Sequence, residues 1–226
     1  MNIAVIPARS GSKRIKNKNI KSFRKKPIIY WSIRAARKSK IFKKIYVSTD
    51  SKKIANVAKR FGAEVPFLRS RKLSNDKAGT SAVIRDFINR INNKIKFKNI
   101  CCIYPAAPFV KSSDIKKGYN ILKNKKYNYV FSATKYSSNF HRAFIIKKKN
   151  QMKMLVKKNY KKRTQDLPHV YLDAAQFYWA KKKTWLKKKK VFNKNSTVIE
   201  IPKERSCDID TLEDWKHAEK LSYLHR

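Results

Sequence analysis

Short apolar runs separated by strongly cationic segments set the rhythm of this chain. Asn2 to Ile6 is a continuous apolar stretch ended by Pro7, the pattern of a buried strand. Pro27 opens a helical periodicity through Ile28, Trp31, Ile33 and Ala35, with proline in a first-turn position. Ile45 to Val47 predicts a second strand. Ser48-Thr49-Asp50 then predicts the cap of a helix carrying Ile54, Val57, Ala58 and Phe61 on one face and stopping at Gly62. Glu64 to Phe67 reads as a brief third strand, and Leu68 to Gly79 is polar and irregular. Thr80 predicts the cap of a helix reaching Asn92. Ile100 to Tyr104 is a very apolar strand, broken off by Pro105 and Pro108. A helix capped by Ser112 or Ser113 ends near Leu122, and Tyr129 to Thr134 is the next strand.

Strands alternating with helices of about ten residues point to the α/β class: a Rossmann-like, mostly parallel sheet with helices on both faces. The alternation is lost between about residues 135 and 172, which are basic and aromatic. There Phe144 to Ile146 and Met152 to Val156 predict a small hairpin. The sheet pattern resumes at Gln176 to Ala180, followed by a short helix at Lys182 to Lys188 and a strand at Val198 to Ile201. Asp208-Ile209-Asp210 leads into a last helix capped by Thr211. No repeat and no Pro/Gly/Ser linker interrupts the chain, so one domain over residues 1–226 is expected, with an inserted excursion at about 135–172.

Composition adds one unusual fact. Lys and Arg number 58 against 14 Asp and Glu, a net charge of +44. Such a charge admits a basic nucleic-acid-binding domain without catalysis. Yet the lysines are dispersed over the whole chain. With abundant Asn and Ile, that dispersal reads as AT-rich coding that places lysine at tolerant surface sites, leaving only nonspecific attraction to polyanions. Cys101, Cys102 and Cys207 form no C-x-x-C pair and the four histidines have no metal-ligand spacing. Neither a signal peptide nor a membrane span is expected, and a reducing cytoplasm fits.

Two stretches carry chemistry. After the first strand, Ser10 and Gly11 stand among Arg9, Lys13, Arg14 and Lys18. A strand entering a small cationic turn is a way to grip phosphate, with backbone N–H groups and cations facing the anion. The Walker pattern is not met, and a solvated basic loop is the plain alternative. Near the other end, Asp208 and Asp210 stand two apart on an extended segment, which places both carboxylates on one side. Such a pair suits a hard cation such as Mg²⁺, although a helix cap with a surface charge would read the same. Together, an anion cradle and a cation clamp are what metal-assisted nucleotidyl transfer requires.

I-P-A-R-S-G-S-K-R-I at Ile6 to Ile15, followed by Lys18-Asn19, resembles the nucleotide-binding signature of the sugar-acid cytidylyltransferases, the CMP-sialic acid synthetase group. D-I-D-T-L-E-D at Asp208 to Asp214 resembles its terminal metal-binding motif. Tyr104 to Phe109 resembles the family's Q-P-T-S-P-L, with Tyr104 where the sialic acid enzymes usually have Gln, and Arg163 to Pro168 and Asp173 to Trp179 look most like the branch acting on pseudaminic acid. In that branch a glycine stands where this chain has Ala175, which questions the local backbone if the glycine used φ > 0.

The resemblance spans the chain and implies CTP as nucleotide, an acidic nine-carbon sugar as acceptor and Mg²⁺ as cofactor. It implies nucleotide contacts from Ala8, Arg9, Ser10, Gly11, Ser12, Lys13, Lys18, Asn19, Arg69, Asp76 and Thr80. Sugar contacts are implied at Tyr104, Arg142, Arg163, Gln176 and Tyr178, although Tyr178 and Trp179 also read as packing. Metal binding falls to Asp208 and Asp210, and Arg9, Lys18 and Asp210 are the implied catalytic residues. The excursion is implied to serve dimerisation, in a homodimer that offers cations across to the neighbouring sugar. N-acetylneuraminic or legionaminic acid would use the same machinery.

Overall fold

The computed structural model of the chain describes residues 1–93, 95–124, 126–136 and 140–224. In chain order its main elements begin with β1 (Asn2–Pro7), the short ribbon β2 (Ser22–Phe23) and β3 (Lys26–Pro27), and α1 (Ile29–Ser39). They continue with β4 (Lys44–Ser48), α2 (Lys52–Arg60), α3 (Thr80–Ile91), β5 (Asn99–Ile103), α4 (Ser112–Asn124) and β6 (Tyr129–Lys135). The hairpin β7 (Phe144–Ile146) and β8 (Met152–Met154) precedes β9 (Tyr171–Lys181), α5 (Lys182–Leu186), β10 (Ser196–Glu200) and α6 (Leu212–Leu224).

The central sheet runs β10-β6-β9-β5-β1-β4. β1 lies between β4 and β5, parallel to both, and β10 is parallel to β6. β1 explains why the sheet is covered on both sides. Ala4 and Ile6 join a core with residues of α1, α2 and α4, whereas Ile3 and Val5 join a second core with residues of α3 and α5. Alternation along a strand makes this division, and an apolar residue at every position makes both faces bury. Cys101 and Cys102 follow the same rule, one in each core, and burial raises both thiol pKa values.

Several local expectations give way in the structure. Glu64 to Phe67 forms no strand; it reaches β4 only through the isolated bridge Tyr46–Glu64, and Leu68 through one to Thr49. The α2 cap is Ser51, whose hydroxyl accepts from Ile54 N–H, and Gly79, not Thr80, holds the N-cap position of α3. The resumed strand at Gln176 is β9, which starts at Tyr171 and is antiparallel to both β5 and β6. A strand's direction leaves no trace in its own hydrophobicity.

Two positions in and against β9 are conformationally demanding. Ala175 has φ +48°, where the β6–β9 register shifts between Phe131 and Ala133. An L-residue there pays about 1–2 kcal/mol that glycine does not. Gly118 brings α4 so close to β9 that an added Cβ would lie 2.9 Å from Trp179 Cδ1 and 3.0 Å from Phe177 Cε2. Trp179 is further held by its indole N–H donating to Ile115 O at 3.0 Å.

Ala175→Gly is expected to raise stability by about 0.5–1 kcal/mol after the entropy of the unfolded glycine is counted, or about 1–4 °C in Tm by calorimetry. A Tm that stays or falls shows that Ala175 is not strained. Gly118→Ala is expected to lose about 1–3 kcal/mol, since a buried indole cannot yield to the methyl. An unchanged denaturant midpoint contradicts that close approach.

Candidate active site

The cationic loop leaves the C-terminal end of β1 and is tied down at several points. Ala8 N–H donates to Ser48 O at 2.9 Å, holding the loop to the end of β4. The Ser10 N–H and hydroxyl both donate to the Asp50 carboxylate, at 2.9 and 2.5 Å. Arg9 Nη1 lies 2.6 Å from Asp76 Oδ1 and Lys13 Nζ 2.8 Å from Asp76 Oδ2. Those two cations, Lys13 first, hold the Asp76 carboxyl below its ordinary range. Asn19 is buried; its amide donates to Arg9 O at 2.9 Å and its Oδ1 has no partner.

The loop meets the other end of the chain. Lys18 Nζ donates to Ile209 O at 2.7 Å and to Asp210 Oδ1 at 3.3 Å, and Arg14 Nη2 lies 2.8 Å from Asp210 Oδ2. The anchor is apolar. Ile209 is 1% exposed and packs with Ile15, Phe23, Ile28 and Trp215, so the loop and the Asp208–Asp210 segment share one small core. Alternation then turns the flanking Asp208 and Asp210 away from that core. Asp214 accepts from the N–H groups of Asp210 and Thr211, while Thr211 Oγ1 accepts from Asp214 N–H. This reciprocal cap starts α6 immediately after the acidic pair.

One cleft of about 560 Å³ lies between these parts. Arg9, Ser12, Lys13, Lys18, Asn19 and Arg69 line it, as do Asp76, Thr80, Tyr104 and Asp210. Ala8, Ser10, Gly11 and Asp208 are outside its lining. Ala8 is in the core, Ser10 is turned to Asp50, and a Cβ on Gly11 would meet nothing nearer than Ser74 O at 3.9 Å. Arg69 is buried, its backbone N–H on Thr49 O at 2.7 Å and Nε on Ser74 Oγ at 3.1 Å. Burial pushes its guanidinium pKa down, opposed by the charge of Asp50.

Sequence reasoning missed Asp50, which looked like a helix cap, and the contact of Arg14 with Asp210. Asp50 is useful only because β4 lies parallel beside β1, an adjacency set by the sheet.

The residues expected at the sugar divide. Tyr104 hydroxyl lies 3.0 Å from Thr80 Oγ1, and its ring packs against Tyr178 at 5.2 Å between centroids. Tyr178 hydroxyl donates to Asp173 Oδ2 at 2.5 Å. Gln176, by contrast, is 2% exposed and its amide donates to Arg205 O at 2.6 Å. It therefore holds the backbone that leads to Asp208, alongside the buried Arg205–Asp114 pair at 2.6 Å. Arg142 donates to Lys162 O at 2.9 Å and Arg163 pairs with Asp166 at 2.9 Å, so both serve the excursion and neither lines the cleft.

Asp208 and Asp210 suit a divalent cation on one observation. Partial burial first, and then the charge of Asp210, raise the Asp208 carboxyl pKa, with Lys18 opposing. A bound dication would relieve that repulsion. Among the described residues no group of three or more His, Cys, Asp or Glu side chains gathers as a metal cage. Two carboxylates with phosphate oxygens and water completing the shell are a common Mg²⁺ arrangement.

Comparison with known proteins gives the family and the fold. The chain is 38% identical over 221 residues to the pseudaminic acid cytidylyltransferase of Campylobacter jejuni, covering 97% of this chain and 95% of that one. It is 34% identical over 224 residues to the CMP-N,N'-diacetyllegionaminic acid synthase of the same species, covering 98% and 95%. Among solved structures, a CMP:2-keto-3-deoxy-manno-octonic acid synthetase complexed with CTP superposes with a TM-score of 0.75 at 12% identity, over 100% of this chain and 99% of that one. Residues 3–225 match the family model described as cytidylyltransferase, and the chain with its cationic loop, acidic pair and intervening cleft belongs to the cytidylyltransferase family.

Proposed function

We propose that this enzyme couples CTP to pseudaminic acid, giving the CMP-sugar and pyrophosphate. The observation that carries the reading is the meeting of Lys18 with Asp210 at 3.3 Å in the cleft that Arg9, Lys13 and Arg69 also line. That cleft is cationic on the loop side and carboxylate-bearing on the other, as a triphosphate joined to a metal requires. The choice of sugar rests on the 38% identical relative.

In this mechanism Arg9, Lys13 and Lys18 bind the triphosphate in the cleft they line. Asp208 and Asp210 would hold Mg²⁺, which when bound would supply charge neutralisation at the phosphates and Lewis acidity toward the attacking hydroxyl. The anomeric hydroxyl of the sugar gives up its proton to solvent as its oxygen attacks the α-phosphorus, the bond to the β-phosphate bridging oxygen breaks, and pyrophosphate departs against Arg9 and Lys18. Alignment and fixed charge supply most of the acceleration, because phosphoryl chemistry leaves the protein little covalent work.

The working unit in this reading is a homodimer. Phe144, Ile146 and Met152 on the β7–β8 hairpin are 56%, 61% and 60% exposed, an apolar ridge of the kind that partners cover. Arg142 and Arg163 lie in that same excursion and would reach the neighbouring subunit's sugar carboxylate. Free Cys101, Cys102 and Cys207 fit a reducing cytoplasm. Among the described residues no helix is long and apolar enough to cross a membrane.

Asp210→Asn is expected to lower kcat for pyrophosphate release by about 10²–10³ with Tm preserved. Near-normal turnover with Mg²⁺ present removes Asp210 from the mechanism. In the same assay pseudaminic acid is expected to give the highest kcat/KM among sugar acids; a preference for N-acetylneuraminic or legionaminic acid reassigns the substrate, and turnover of none overturns the reaction. Phe144→Asp paired with Ile146→Lys is expected to yield a monomer by light scattering, whereas an unchanged mass moves the interface elsewhere.

A further inference from the structure

Arg14 stands apart from the other cations of the loop. Arg9 and Lys13 meet Asp76, and Lys18 is held twice, at Ile209 O and at Asp210 Oδ1. Arg14 reaches Asp210 Oδ2 at 2.8 Å, and no other hydrogen bond of its side chain is found among the described residues. Its side chain is 64% exposed, against 20% for Lys18. Its backbone, by contrast, is fixed from behind. The next residue, Ile15, is buried in the same small core as Ile209, so the neighbours Arg14 and Asp210 emerge side by side from one apolar anchor. Both line the main cleft.

Each oxygen of the Asp210 carboxylate therefore faces a cation, Lys18 at Oδ1 and Arg14 at Oδ2. A dication approaching that carboxylate meets two like charges, and one of them has to yield. Lys18 is the poorer candidate, being largely enclosed and bonded to the carbonyl of a buried residue. Arg14 is the better one, because an exposed ion pair is worth little. At equal distance a dication attracts the carboxylate about twice as strongly as a guanidinium does. Once let go, Arg14 stays beside the cleft on its anchored backbone. Its planar fork of donors suits phosphate oxygens.

We propose that Arg14 is a displaceable stand-in for the divalent cation: it covers Asp210 Oδ2 until a metal takes that oxygen, and then turns to the triphosphate. This rests on the reading of Asp210 as a metal ligand. Arg14 thereby links two binding events. The metal frees the guanidinium and the triphosphate takes it, so the cleft favours metal and nucleotide together over either alone.

Two titrations of the whole enzyme, made without sugar, separate the outcomes. Arg14→Gln is expected to bind Mn²⁺ alone about two- to fivefold more tightly, read from free Mn²⁺ by electron paramagnetic resonance, since the competing pair is gone. The same variant is expected to bind CTP at saturating Mg²⁺ about tenfold more weakly by calorimetry. Lys16→Ala removes an exposed cation of the same loop that does not line the cleft, and it is expected to leave both constants unchanged. Shifts of opposite sign are the signature, because a structural fault weakens both ligands. Mn²⁺ affinity that stays or falls in Arg14→Gln overturns the stand-in, and unchanged CTP affinity overturns the hand-over. A gain in Mn²⁺ affinity as large in Lys16→Ala reduces the effect to net charge and overturns the proposal as well. If Asp210→Asn binds Mn²⁺ as the wild type does, the reading of Asp210 as a metal ligand fails, and the proposal with it.

Discussion

A buried isoleucine holds the two halves of this site together. The Lys18–Asp210 contact joins residues 192 positions apart, and two partly solvated charges supply little of the energy needed to close so long a loop. Ile209 supplies the rest by packing with Ile15, Phe23, Ile28 and Trp215. Its carbonyl also accepts from Lys18 at 2.7 Å, so the apolar anchor and the polar contact belong to the same residue. Everything placed around the cleft depends on this apolar closure, because alternation about Ile209 is what presents Asp208 and Asp210 outward.

The chain's scarce acids are spent where its cations have to be ordered. With 14 Asp and Glu against 58 Lys and Arg, most surface cations have no acidic partner to hold them. In the cleft, Asp76 takes both Arg9 and Lys13, Asp210 takes both Arg14 and Lys18, and Asp50 holds Ser10. A carboxylate shared by two cations keeps them near an anion's seat without neutralising them fully, so the seat stays attractive to triphosphate.

β9 packs beside the site through Tyr178 on Tyr104 and bears its cost in backbone geometry. Running against both neighbours, it changes register at Ala175, whose positive φ turns Asp173 back on Tyr178. Below it, Gly118 lets α4 approach, and Gln176 reaches across to Arg205. One strand thus supports Tyr104 on one side and steadies the segment leading to the acidic pair on the other.

Much of this was legible in residues alone. Apolar runs mark β1, β5 and β6, periodicity marks α1 to α4, and the resemblance of Ile6–Asn19 and Asp208–Asp214 to known motifs brings the cleft's main residues into view. Side-chain alternation and turn chemistry are local properties, so a sequence carries them. Strand direction, the failure of Glu64 to Phe67 to pair as a strand, the use of Asp50 against Ser10 and the inward turn of Gln176 were decided by the tertiary structure. Each depends on which segment lies alongside, and adjacency between distant segments is settled by the packing of the whole core, about which a local stretch of residues is silent.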